Sequence, residues 1–284
     1  MCAPLSVGPS IPKTRRGERH SGAYNERVRI TSARNPKVKA WAELKTRRGR
    51  REQGLFLVEG AREAARAQAA GIRPHAWLVW PERAGAEEAA RLADAPVYEL
   101  SEAAMRKVSY RENPPALIGV FERPERRLAD LPPRPRRVLV AVEIEKPGNL
   151  GAMLRSADAS GADAVLLVGD AVDPENPNVI RASTGAVFAL PLAVAGHEEA
   201  RSWLKARGLQ LAATSPAADR VYWEADLARP TALVVGAEDR GLPAAWLESA
   251  DLAVRIPMEG AADSLNASVS AALVLYEMLR QQSV

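Results

Sequence analysis

Apolar and polar positions along the chain fall into two series of short hydrophobic runs separated by helical patterns. In the first, "LFLVEG" (55–60) leads into "AREAARAQAAG", then "HAWLVW", "AEEAARLADA", "PVYEL", "EAAMRKVSY" and "ALIGVF". This alternation predicts a compact α/β unit over residues 25–122. The second series has strand-like runs "VLVAVEI" (138–144), "AVLLVG" (164–169), "LPLAVA" (190–195), "LQLAATS" (209–215), "TALVVGAE" (231–238) and "LAVRIPM" (252–258). Helical patterns lie between most of them, and a long one, "ASVSAALVLYEML", follows the last. Continuous apolar strands alternating with helices describe a parallel sheet covered on both faces. The expected fold class is therefore α/β, with a smaller domain over 25–122 and a parallel-sheet domain over 138–284. Between them "RPERRLADLPPRPRR" (123–137) reads as an interdomain linker, because proline blocks regular structure. Residues 1–24 mix Pro, Gly, Ser and Arg without periodicity and read as a disordered basic tail.

Composition excludes several classes. A chain of 284 residues that is 47% hydrophobic has ample material for a core, and two domains are its prior. It has no apolar run of about 18 residues for a membrane span and no apolar segment of the secretory kind near its start. Its one cysteine, Cys2, rules out a disulfide scaffold and a Cys-based zinc site. No metal is expected, and the cytoplasm is the expected compartment.

The net charge of +4 is unevenly placed, with 14 Lys/Arg against five Asp/Glu in residues 1–60 and a slightly acidic remainder. A basic end on such a body suggests contact with a polyanion. The densest stretch holds Lys45, Arg47, Arg48, Arg50 and Arg51, the candidate contacts to phosphate. The bland reading is a solvated charged face.

In parallel sheets, ligands bind beyond the carboxyl ends of the strands. Three strand ends stand out. The first gives Asn149, Gly151 and, one helical turn beyond the glycine, Arg155. The second, "VVGAEDRGL", gives Gly236 and Glu238, and the third, "RIPMEGAADSLNASVSA", gives Ser264, Leu265 and Asn266. Taken singly, Arg155 fits a helix-surface arginine, Glu238 a capping carboxylate, and Gly236 ordinary turn geometry. Asp263 or Ser264 suffices to cap the last helix, which leaves Asn266 without an evident purpose. No G-x-G-x-x-G is present, so a dinucleotide site of that kind is unsupported.

Together and in this order, N-x-G-x-x-x-R, G-x-E-x-x-G-L and I-P-M-x-G-x-x-x-S-L-N resemble the SPOUT RNA methyltransferases, and more narrowly their TrmH (SpoU) branch. "RITSARNPKVKAW" and "GLFLVEGAREAARA" resemble that family's ribosomal-protein-L30e-like substrate-binding domain. Ala237 stands where many members have Asn.

The resemblance implies a deep trefoil knot in the C-terminal domain, S-adenosylmethionine as cofactor, and a homodimer whose protomers complete the active site together. Carried over by motif position, Thr214, Gly236, Ile256, Met258 and Leu265 contact the cofactor. Asn149, Arg155, Glu238, Ser264 and Asn266 form the reaction centre. The implied activity is methylation of a ribose 2′-hydroxyl in structured RNA, with 23S rRNA favoured over tRNA. The alternatives are a tRNA 2′-O-methyltransferase and a non-catalytic RNA-binding ribosome factor on the same fold.

A 2′-hydroxyl is a weak acid, so its proton must be accepted or the developing alkoxide stabilised. The three histidines, His20, His75 and His197, lie outside the motifs, which disfavours a histidine base. A guanidinium resists deprotonation. Arg155 is therefore read as a phosphate and oxyanion ligand, with Asn149 and Ser264 orienting it or the hydroxyl and Glu238 fixing the arrangement.

Overall fold

The computed structural model describes residues 27–261 and 263–283. The tail assigned to residues 1–24 lies outside these. The first unit runs β1 (Arg27–Ile30), α1 (Pro36–Glu43), α2 (Arg47–Gln53), β2 (Leu55–Glu59), α3 (Ala61–Ala69) and β3 (Pro74–Val79). It continues with α4 (Ala86–Ala89), β4 (Val97–Leu100), α5 (Glu102–Val108) and β5 (Leu117–Glu122). Its five strands are ordered β1-β4-β3-β5-β2, and β5 runs antiparallel to both its neighbours.

The second unit runs β6 (Arg137–Val142), α6 (Pro147–Ala159), β7 (Ala164–Val168), α7 (Pro177–Ala182), α8 (Ala186–Ala189) and β8 (Leu192–Ala195). Then come α9 (His197–Ala206), β9 (Gln210–Thr214), β10 (Arg220–Val221), β11 (Thr231–Val235), α10 (Ala244–Glu248), β12 (Leu252–Arg255) and α11 (Ala267–Gln282). All six strands expected from the hydrophobic pattern form, and the two-residue β10 adds an edge too short to register in sequence. The sheet order is β10-β12-β9-β11-β6-β7-β8, parallel throughout. β6, β7 and β11 are buried at every position. Among the described residues, no helix is long and apolar enough to cross a membrane.

The two units share a core. Phe56 of β2 lies 5.9 Å, centroid to centroid, from Phe188 of α8. The Arg66 guanidinium donates to the carbonyl of Thr184, and its stem packs on Gly185. Gly185 has φ +84°, so a side chain there would be strained as well as crowded.

The segment 123–137 is not a free spacer. Leu128 and Leu131 are buried, and the Leu128 carbonyl accepts from Trp203 Nε1 at 3.1 Å. The Arg126 carbonyl accepts from Val194 N of β8. Proline kept the segment irregular without keeping it loose. Arg137 is also buried, and its guanidinium donates to the Ser160 carbonyl.

A buried ionic cluster joins the units. Arg50 of α2 is 1% exposed, and its Nε donates to Asp173 Oδ2 at 2.8 Å. Its Nη1 donates to the carbonyls of Leu44 (3.0 Å) and Lys45 (3.1 Å). Arg123 Nη2 reaches Glu175 Oε2 at 2.9 Å and Asp173 Oδ1 at 3.4 Å, while Arg126 Nε donates to Glu175 Oε1 at 2.9 Å. Burial pushes the Asp173 carboxyl up, but hydrogen bonding with Glu175 and the charges of Arg50 and Arg123 outweigh it. The net position is below the usual carboxylate range.

Removing one partner of such a pair leaves an uncompensated buried charge, at a cost of about 3–5 kcal/mol. Arg50→Ala is therefore expected to lower the urea midpoint far more than Arg48→Ala, whose partner Glu52 is exposed. Because the folded-state pKa of Asp173 is depressed, its stabilisation is complete above the unfolded value of about 3.9 and is lost as pH falls through the lower folded value. Urea titrations below about pH 4 should accordingly show a shallower acid loss in Asp173→Asn than in the wild type.

Candidate active site

At the carboxyl ends of β9, β11 and β12 lies a cleft of about 550 Å³. All five residues assigned to the cofactor line it: Thr214, Gly236, Ile256, Met258 and Leu265. Glu238 and Ser264 line it too. Gly236 is required by close approach and not by a positive φ: a Cβ there would stand 2.4 Å from the backbone of Gly241. The loop folds back on itself through an Ala237–Gly241 bridge, with Gly241 at φ +63°. Sequence reasoning missed Ser215, Pro216, Asp239, Arg240, Asp263 and Ser270 in the lining. The strand-end rule applied past Thr214 would have found the first two.

The polar centre is a directed chain of amides. Asn266, not Asp263 or Ser264, is the N-cap of α11: its Oδ1 accepts from Ser268 N at 2.9 Å and Ser268 Oγ at 2.6 Å. The backbone thus fixes which end of that amide is oxygen. Its Nδ2 must face outward, and it donates to Asn149 Oδ1 at 3.0 Å. Asn149 Nδ2 in turn donates to Glu238 Oε1. Each bond polarises the next toward the carboxylate. Cap and site are one device, which gives Asn266 its purpose.

Asn149 sits in the first turn of α6, which starts at Pro147. Gly151 lets α6 lie on α7, since a Cβ there would stand 2.4 Å from Ala182 Cβ. The loop before α6 is anchored below by Glu143, which leaves β6 at φ +52°. The Glu143 carboxylate lies 3.2 Å from His197 Nε2, and Trp246 Nε1 donates to His197 Nδ1 at 3.0 Å. Nδ1 is therefore the acceptor and Nε2 carries the proton toward Glu143. His197 holds the loop without entering the cleft.

Arg155 is not brought to this cleft. It is exposed on α6, with no ion-pair or hydrogen-bond partner among the described residues. Six positions separate it from Asn149, which at ~100° per residue puts the two about 120° apart around the helix.

The basic stretch divides. Arg50 is a correction to the phosphate-contact reading, because its guanidinium is consumed in the buried cluster. Lys45 is half-buried and donates to the carbonyls of Lys107 (2.9 Å) and Ser109 (3.3 Å). Burial first, then the charge of Lys107, holds its pKa below the usual lysine range. Arg47 pairs with exposed Asp170 at 2.9 Å, and Arg48 with Glu52 at 2.7 Å. Arg51 is exposed, with no partner among the described residues.

The cleft suits S-adenosylmethionine. Val235, Val254, Ile256, Met258 and Leu265 supply apolar walls for an adenosine, and Glu238, Asp239 and Asp263 supply negative charge for a cation. The volume lies within the range of small-molecule sites.

A parallel-sheet unit with a cleft at its carboxyl edge and a second α/β unit docked on it is the build of a SPOUT-class methyltransferase with a substrate-binding domain. Residues 136–276 match the SpoU rRNA Methylase family, and residues 35–119 match the MRM3-like substrate binding domain. The 23S rRNA (guanosine(2553)-2′-O)-methyltransferase RlmP of Bacillus subtilis is 34% identical over 88% of this chain and 98% of its own length. The crystal structure of an RNA 2′-O ribose methyltransferase superposes with TM-score 0.80 at 52% identity, over 90% of this chain and 100% of that one. The SpoU methyltransferase AviRb of Streptomyces viridochromogenes, solved with AdoMet, superposes with TM-score 0.83 at 31% identity, over 88% and 99%. The chain belongs to the SpoU rRNA methylase family.

The amide chain separates capping from chemistry. Asn266→Asp keeps the cap oxygen but cannot donate to Asn149; it should unfold within about 0.5 kcal/mol of wild type in urea while losing most activity. Asn266→Ala should lose activity and, with the cap gone, about 1 kcal/mol of stability as well.

Proposed function

We propose that this protein transfers a methyl group from S-adenosylmethionine to a ribose 2′-hydroxyl of 23S rRNA, acting in the cytoplasm. The observation that carries the reading is the meeting of Asn149, Glu238 and Asn266 at the rim of a cleft lined by all five expected cofactor contacts. A ribosome factor without chemistry has no use for that polarised chain. Thr214, Gly236, Ile256, Met258 and Leu265 would hold the cofactor, which supplies an electrophilic methyl group when bound.

The remaining work falls to this chain's own residues. Positioning the 2′-oxygen contributes a large share of the rate. Glu238 keeps Asn149 oriented at the rim, and Ser264, exposed on the cleft wall, offers a hydroxyl to the ribose. Arg155 binds the neighbouring phosphate and stabilises oxyanion charge through its planar fork. Since Arg155 and Asn149 diverge around α6, each chain offers its arginine to the cleft of a second copy in a homodimer. The exposure of Val269 (46%), Leu273 (37%) and Tyr276 (50%) on α11, which packs on α6, supports pairing of this kind. RNA is also gripped by the small domain, through Arg47, Arg48 and Arg51, with Lys45 beside them.

The activity is tested by incubating transcribed 23S rRNA with labelled S-adenosylmethionine, followed by nuclease digestion to identify ribose or base as acceptor. Methylated base, or no transfer, would refute the reading. Arg155→Ala should abolish transfer with cofactor affinity changed by no more than a few-fold.

Arg155→Ala and Asn149→Ala should each be inactive as pure proteins. Mixed and re-equilibrated, they form hybrid dimers with one intact centre and should regain about a quarter of wild-type activity. No rescue, or sedimentation of an active monomer at micromolar concentration, would place Arg155 in its own chain's centre.

A further inference from the structure

A second cleft, of about 430 Å³, lies between the two units and is lined by Arg47, Arg51, Arg123 and Arg126. Its three carboxylates are already engaged. Asp173 and Glu175, at 3% and 0% side-chain exposure, are held by Arg50, Arg123 and Arg126. Glu125 is paired with Arg127 at 3.0 Å. Donors are left over. Arg51 has no partner among the described residues, and Arg126 keeps its Nη2 buried without a hydrogen bond. Arg47 is matched only by Asp170, whose side chain is 88% exposed, so that pair is weakly held.

The position of this cleft matters as much as its charge. Gly169 and Ala171, at the carboxyl end of β7, form part of its wall. β7 pairs with β6 and β6 with β11, so the cofactor cleft and this one open along the same edge of one sheet. The loops between them are tied together: Val172 N donates to the Ile144 carbonyl at 2.9 Å, and Arg240, in the cofactor cleft, pairs with Glu145. Two strand steps separate β11 from β7, roughly 10 Å, a gap that a short stretch of single-stranded RNA can bridge.

We infer that the interdomain cleft is a phosphate subsite for the RNA segment flanking the target ribose, with Arg51 as its free ligand and Arg47 exchanging Asp170 for phosphate. This rests on the activity proposed above and adds where the flanking backbone lies. The buried cluster beneath makes the subsite rigid, because Arg123 and Arg126 are fixed by Asp173 and Glu175. Arginine forks suit a pair of phosphate oxygens better than an ammonium does. Asp170 then acts as a competitor that the RNA must displace.

The probe is transcribed 23S rRNA, with binding measured across salt concentrations and phosphate ethylation interference mapped around the methylated nucleotide. Arg51→Ala should weaken binding about 5- to 10-fold and reduce the slope of log K against log salt by roughly 0.7–0.9, the value of one phosphate contact. One ethylation-sensitive phosphate within a few nucleotides of the target should disappear from its pattern. Arg51→Lys should recover the slope and only part of the affinity. Asp170→Asn, which frees Arg47, should tighten binding and steepen the slope, a gain that loss of a merely structural pair would not give.

An Arg51→Ala slope and interference pattern equal to wild type would overturn the subsite, as would loss of a phosphate remote from the target. If wild type binds the transcript but methylates no ribose, the activity reading fails, while the slopes of Arg51→Ala and Asp170→Asn still decide whether the cleft takes phosphate.

Discussion

A parallel sheet buried on both faces has nowhere to display polarity except its edges. β6, β7 and β11 are buried along their whole lengths and apolar except where β6 and β11 begin, at Arg137 and Thr231, so the polar side chains of the candidate site lie where those strands and their neighbours end. Parallel alignment brings all the carboxyl ends to one rim. The cofactor cleft, the Asn149–Glu238–Asn266 chain and the interdomain arginines are all consequences of that one constraint.

The direction of the amide chain follows from helix capping. An N-cap must offer an oxygen to the orphan backbone N–H groups of the first turn. Once Asn266 does so, its NH₂ can only donate outward, Asn149 must receive it, and the Asn149 NH₂ must find an acceptor. Glu238 is that acceptor, and its position on the folded-back loop depends on Gly236 and Gly241. Serine or aspartate at position 266 would cap α11 equally well but could not pass a donor on through an amide.

The docking of the small unit obeys a harsher rule. Two carboxylates with almost no solvent exposure persist only because three arginines from two segments of chain surround them. The cluster gains little net stability over an apolar equivalent, but it fixes one relative placement, since any other would leave charges buried and unpaired. α2 is thereby held over the rim near β7, with Arg47 and Arg51 at its outer side and Arg50 beneath.

The amino-acid order by itself determined the two α/β units, the parallel sheet, and which strand ends carry the polar motifs that meet at the cleft. Those are local properties: apolar runs, helical spacing, and polar residues that break both. It also marked seven of the residues that line the cleft, because three different strand-end motifs occur along the chain in a recognisable order. Tertiary structure alone decided what each polar side chain touches. Arg50 and Arg51 are adjacent and chemically identical, yet one is consumed in the core and the other faces solvent, since only the packing of α2 on the second unit distinguishes them. Pro-rich 123–137 could be read as irregular but not as pinned, because its anchors, Trp203, Val194 and Glu175, lie some 50 to 80 residues away. Arg155 and Asn149 share a motif and a helix, but helical rotation separates them, so a motif can name its residues without placing them in one cleft.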